Sequence, residues 1–274
     1  MNSTIVNCTL FVAITYLLTC IIAWSLPTQY AALTTFIPAL VAILLTACNK
    51  QRVSDLFKLS SLKNCSLGFV IMLAARVIAL LLAILIFTFV ATGEYVYTLE
   101  KVKYLNAVQI FFILLSTFIM LIITSLGEEI GWRGYLLKKL RSQIPNFYAR
   151  AIIVGFIWAI WHIPLYIAPG SAESAMLWKD GFTFPIMCSY ILVICTMSIM
   201  FTWLFEKDNS VWPVTIAHAT NNFTVVAITL FTIGPPASTA TIVIGYILAA
   251  VAQLTVAMGV ICFDKTRERR LSSA

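Results

Sequence analysis

Four ionisable side chains in this sequence have the types and spacings that hydrolytic chemistry uses. Glu128 and Glu129 are adjacent in the run Gly127-Glu128-Glu129-Ile130-Gly131-Trp132-Arg133-Gly134-Tyr135, and His162 and His218 are the two histidines of the chain. Each lies in or at the end of a long apolar stretch, where an ionisable group is costly and so marks a candidate site. Glu129 and Arg133, four residues apart on a helix, share a face and can form an ion pair. Glu128 points about 100° away and has no such partner. One carboxylate is neutralised and the other is left free to take and give a proton, which makes Glu128 the candidate general base.

Each histidine brings a companion at i,i+4 spacing. Trp158 and His162 share a helix face, and Pro164 predicts a kink just past the histidine. His218 and Asn222 share another face and offer two hydrogen-bond donors, such as an oxyanion needs. Glu128 with His162 could hold and deprotonate a water. Glu128, His162 and His218, with Asn222 beside them, equally suit a divalent metal such as zinc, because imidazole and carboxylate are zinc ligands. Blander roles exist for every one of these residues. A lone buried histidine is usually a packed, hydrogen-bonded group, and a Glu pair closing an apolar span is often a solvated helix end. Trp132, Trp158, Trp161 and Trp212 serve packing or the interfacial belt. Arg76, alone in mid-span, is expected to pair with a carboxylate or with helix-end carbonyls and has no catalytic role. The functional reading is favoured by coincidence: both histidines and the Glu pair sit in separate apolar segments at regular helical spacings.

The elements that must position these residues follow from composition. The chain has 274 residues, is 61% hydrophobic and 11% charged, and has a mean hydropathy of +0.96. A soluble chain is about one-quarter charged, because it needs polar surface to cover its core. Here lipid must be the solvent, and in lipid only helices or closed barrels satisfy their backbone. The apolar runs are unbroken rather than alternating, which selects an all-α, polytopic membrane protein forming a single domain over 1–274. Stretches of about 20 apolar residues predict about eight spans, near 5–26, 30–48, 67–92, 107–127, 148–168, 184–205, 211–231 and 240–263. The motif-bearing core is 107–231. The first span lacks a basic leader and a small-residue cleavage site, so it is expected to stay as a helix. The seven cysteines are scattered singly without metal-binding spacing and read as small helix- or lipid-facing residues. The net charge of +7 reflects basic loops gathered on one side, not a nucleic-acid surface.

Lys and Arg placement orients the stack. Lys50, Arg52, Lys58 and Lys63 follow the second span; Arg133, Lys138, Lys139, Arg141 and Arg150 follow the fourth; Lys265, Arg267, Arg269 and Arg270 close the chain. With these on the cytoplasmic side, joined by Lys207, the opposite side holds Lys101, Lys103 and Lys179, and both termini are cytoplasmic. Segment 53–66 has the mixed polarity of a short amphipathic helix lying along the inner interface. Depth sets one further condition. At about 1.5 Å per residue, His162 lies roughly 20 Å from the start of the fifth span, whereas Glu128 falls at the cytoplasmic end of the fourth. For them to meet, the fourth helix must run on past 127 or the fifth must begin outside the bilayer.

Glu128-Glu129-x-x-x-Arg133, the run Trp158-Ala-Ile-Trp161-His162, and His218-Ala-Thr-Asn221-Asn222 together resemble the EExxxR, FxxxH and HxxxN/D motifs of one family. Order, spacing and placement on successive helices agree from about residue 107 to 225. The family is the CPBP group of intramembrane endopeptidases, which includes the type II CAAX prenyl endopeptidases and the bacterial Abi-type, bacteriocin-processing proteins. The resemblance implies cleavage of a peptide bond in a membrane-associated peptide or protein, prenylated or of bacteriocin or pheromone type. It implies that Glu128 and His162 activate water, that His218 and Asn222 stabilise the oxyanion, and that Glu129 and Arg133 support them. Both metal-dependent and metal-free mechanisms have been put forward for the family. Trp158 stands where the motif has Phe, and a larger indole is expected to narrow the substrate pocket. Two other functions compete: a non-proteolytic immunity protein or membrane scaffold of the same fold, which would not need the acid–base residues, and a transporter with a proton path. The retained motif positions weigh against the first. The lack of duplicated spans or paired broken helices weighs against the second.

Overall fold

Apolar runs longer than a bilayer is thick have one way to satisfy every backbone N–H and C=O without water, and that is to wind into helices. The computed structural model describes residues 3–26, 28–90, 96–97, 103–168, 181–230, 232–233 and 238–272. Helix α1 is Ser3–Ser25; a 3-10 stretch, Thr28–Phe36, leads into α2, Ile37–Cys48; a second 3-10 turn, Val53–Leu56, precedes α3, Leu62–Val90. Helix α4, Ala107–Glu129, passes without interruption into a π-helix, Ile130–Leu137, and a last turn, α5, Lys138–Leu140. Then come α6 (Phe147–Ile167), α7 (Phe184–Glu206), α8 (Trp212–Leu230) and α9 (Thr239–Ser272). Val96–Tyr97 and Thr232–Ile233 form a two-residue antiparallel pair.

Local sequence sets several of the boundaries. Asn106 and Gln109 exchange side-chain to backbone bonds of 2.9 Å in a capping box that starts α4. Asn146 accepts from Ala149 N at 2.9 Å and starts α6. Pro38 and Pro185 occupy first-turn positions of α2 and α7, where a missing N–H costs nothing. Pro164 lies inside α6, and the helix continues to Ile167.

Among the described residues, six helices are long and apolar enough to cross a membrane, and Ala32–Cys48 is a shorter apolar helix. With α8 they make eight rods, matching the eight predicted spans closely at most ends. The chain is an integral membrane protein, and its polarity is inverted accordingly. Thr15, Thr19, Ser125, Ser198, Thr202 and Gln253 are buried, while Leu17, Val70, Leu81, Phe112 and Val251 are exposed toward lipid. Three expectations change. The segment 30–48 is α-helical only from Ile37. Residues 53–66 form no interfacial helix, but a single 3-10 turn followed by the start of α3. The fourth span does not stop at 127 but runs on to Leu140.

Helix α7 packs against α6 and α9, α3 against α8 and α9, and α4 against α8 and α2. Small residues permit the closest approaches. A Cβ on Gly155 of α6 would lie 2.7 Å from Ser198 Cβ of α7, and one on Gly131 of the π-helix would overlap Pro38 of α2. The basic segments converge at one end of the bundle. Lys139 Nζ donates to Gln51 at 3.3 Å, Arg141 to Asn209 at 2.8 Å, Lys58 Nζ to the Asp208 carbonyl at 2.6 Å, and Arg150 and Lys207 pair with Glu206 and Asp264 at 2.6 Å. Lys101 and Lys179, and the side chains of Arg267, Arg269 and Arg270, lie outside the described residues.

Candidate active site

The π-helix is where the first motif acquires its geometry. One extra residue per turn widens the helix, and such segments recur at functional sites. Every residue of Ile130–Leu137 is buried, as are Glu128 and Glu129 just before it. Continuation through this segment resolves the depth condition. Glu128 stands twelve residues before Leu140, and His162 stands fifteen after Phe147, so at about 1.5 Å per residue both lie roughly 20 Å from the basic end.

The two carboxylates then part company. Glu129 Oε1 takes Arg133 Nη1 at 3.0 Å and His218 Nδ1 at 2.9 Å, and both partners of the ion pair are fully buried. Arg133 Nη2 also donates to Ser198 Oγ at 3.3 Å, and its guanidinium lies 4.4 Å from the Trp158 ring and 4.9 Å from that of Phe201. A buried charge needs this much company, because losing one partner of such a pair costs about 3–5 kcal/mol. Glu128 has none of it. Its Oε2 accepts the indole N–H of Trp158 at 2.7 Å and faces His162 Nε2 at 4.0 Å.

The histidine tautomers follow from their neighbours. His162 Nδ1 lies 2.9 Å from the carbonyl oxygen of Trp158. A carbonyl only accepts, so Nδ1 carries the hydrogen and a neutral His162 turns a lone pair on Nε2 toward Glu128. Tyr166 stacks on this ring at 6.0 Å, Tyr190 meets it edge-on at 5.6 Å, and their hydroxyls bond at 3.1 Å. His218, with Nδ1 fixed on Glu129, has Nε2 left to face a ligand. The Trp158 ring lies 5.1 Å from His218 and 5.7 Å from His162, and so spaces the two imidazoles.

Asn222 is half-buried, and its Oδ1 accepts from Asn221 Nδ2 at 2.9 Å, which leaves its amide NH2 as the donor end. Asn221 in turn accepts from Arg76 Nη2. Arg76 therefore answers to a side-chain amide of α8, not to the expected carboxylate or helix-end carbonyl. Trp158 is 1% exposed, and its indole N–H donates to the candidate base. Its spacing from His162 signalled a shared face, but not that the N–H would reach across to α4. Ser198 gave no sequence signal at all. Among the described residues, no three His, Cys, Asp or Glu side chains are grouped so that they could share a metal ion, and His218 turns its Nδ1 to Glu129.

A family model described as Type II CAAX prenyl endopeptidase Rce1-like matches residues 109–224, the stretch that holds all three motifs. A protein of Methanococcus maripaludis named CAAX prenyl protease 2 is 26% identical over 183 residues. That match covers 62% of this chain and 61% of the relative, so the chain spans less than two thirds of the relative's length. Motif order, the helices that carry the motifs and both similarities agree, and over residues 109–224 the chain is similar to the Rce1-like type II CAAX prenyl endopeptidases.

Proposed function

We propose that the protein is an intramembrane endopeptidase that hydrolyses a peptide bond of a membrane-associated substrate, with both termini on the cytoplasmic side. The observation that carries this reading is the Glu128–His162 pair. Two hydrogen bonds of about 2.8 Å meeting near a right angle at one water oxygen span the 4.0 Å between Nε2 and Oε2. Glu128 takes a proton from that water as its oxygen attacks the scissile carbonyl carbon. The carbonyl becomes an oxyanion, facing His218 Nε2, which donates when protonated, and the NH2 of Asn222. Collapse of the tetrahedral species breaks the C–N bond, and the proton held by Glu128 passes to the departing amine. Glu129 and Arg133 hold His218 in place. No step is routed through a metal.

The resemblance supports a substrate class of membrane-associated peptides or proteins, prenylated or of bacteriocin or pheromone type. The test is cleavage of fluorogenic peptides, prenylated and unprenylated, by protein in mild detergent, with and without a chelator. Glu128→Gln and His162→Ala should each lose about 10²–10⁴-fold in kcat, the usual worth of a positioned acid–base group. Cleavage that survives both substitutions would sink the assignment of Glu128 and His162, and a cellular bacteriocin-sensitivity phenotype that survives both would leave a non-proteolytic binding or immunity protein. Loss of cleavage on chelation alone would assign a metal role to Glu128, His162 and His218.

A further inference from the structure

A second polar concavity lies at the basic end of the bundle, away from Glu128. Where α2 ends and the π-helix passes into α5, a cavity of about 490 Å³ opens. Lys50, Arg52, Lys138 and Lys139 line it, against the single carboxylate of Asp55, and Tyr135 forms part of its wall. Among the described residues, none of these four cations forms an ion pair, whereas Arg150 and Lys207 nearby are matched to Glu206 and Asp264. The carbonyl end of α2 contributes roughly half a negative charge, so helix and Asp55 together offset less than half of the positive charge.

Tyr135 is the aromatic part of the cavity wall and is 2% exposed. Lys139 lies 4.9 Å from its ring and donates to Gln51 beside it. Lys50, at a φ of 53°, closes the C-terminus of α2, where Gln51 N bonds back to the Thr46 carbonyl at 3.0 Å.

We propose that this cavity binds a phosphate-bearing anion, and that the anion is the headgroup of an acidic phospholipid in the adjoining leaflet. Cationic nitrogens are the donors that phosphate oxygens accept. The cavity also stands at the end of the bundle that the charge bias assigns to the anionic leaflet, where basic pockets between helices take such headgroups. Gly134 and Tyr135 belong to the same π-helix as Arg133. An occupant therefore braces the segment that holds Glu129.

The test titrates the full-length protein in neutral detergent with short-chain phosphatidylglycerol, short-chain phosphatidylcholine or inorganic phosphate, following Tm. Phosphatidylglycerol should raise Tm saturably and phosphatidylcholine should not. In Arg52→Gln and Lys138→Gln, both at exposed positions, the midpoint should weaken about fivefold per cation removed. Inorganic phosphate acting at the same concentrations would keep the phosphate site and remove the lipid as its occupant. Equal shifts from both lipids, or a wild-type midpoint in the doubly substituted protein, would overturn the proposal.

Discussion

The indole N–H of Trp158 and the Glu128 oxygen that faces His162 meet at 2.7 Å, across the interface between α6 and α4. A rigid ring thus fixes the carboxylate in one orientation. The same residue, through its backbone carbonyl, also fixes the tautomer of His162. Both members of the proposed water-activating pair are therefore set by one residue, at the position where the family's motif has a phenylalanine that could not donate.

Trp158→Phe should keep the packing and lose the donor. A hydrogen bond to a charged group contributes about 1.5–3 kcal/mol, so kcat should fall roughly ten- to a hundredfold with KM and Tm close to wild type. Steady-state kinetics beside a thermal melt check this. A fall in Tm with unchanged kcat would make the indole a packing residue alone.

Arg133→Met should be far worse for folding than for any single contact, because Glu129 would stay buried without its cation. The expected loss is about 3–5 kcal/mol of stability, read by thermal or denaturant unfolding in detergent. Arg133→Lys should rescue only part of it, since an ammonium cannot bond Glu129 and Ser198 while lying flat against Trp158 and Phe201.

Arg76 is linked to Asn222 of the proposed site through Asn221. Arg76→Met and Asn222→Ala should each lower kcat, and the double substitution should cost less than the sum of the two. A coupling of about 0.5–3 kcal/mol in the double-mutant cycle is expected for residues in one network. Strict additivity would detach Arg76 from catalysis.

Gly155→Val tests the seam between α6 and α7. The new side chain would press on Ser198 and Cys195, and overpacking of this kind costs about 1–3 kcal/mol. Ser198 bonds both Arg133 and the Ala151 carbonyl. Activity should therefore fall together with Tm.

Most of the fold could be read from hydropathy, because lipid leaves the chain one backbone solution. Six of the eight predicted spans correspond closely to helices in position. The exceptions have local causes. Residues 30–36 are apolar enough to span, but they wind as 3-10. The fourth span looked finished at Gly127, because Glu128, Glu129 and Arg133 lower its hydropathy although all three are buried. Spacing alone separated Glu129 from Glu128, since four residues bring Arg133 to one and not the other. It could not reveal that His218 joins Glu129, that Trp158 reaches Glu128, or that Arg76 meets Asn221. Those contacts run between helices far apart in sequence, and only packing decides which rods are neighbours.

Between Ile130 and Leu137 the chain is wound more loosely than its surroundings. If the coil tightened to ordinary pitch with every residue kept, each residue would turn through more of the circle. Everything on its far side, including Lys138 and Lys139, would then swing about the helix axis relative to the acidic pair. The loose winding of that stretch thus acts as a gear tooth that meshes the membrane-embedded chemistry with the charged rim, and a change that tightened it would disengage them even with every motif residue intact.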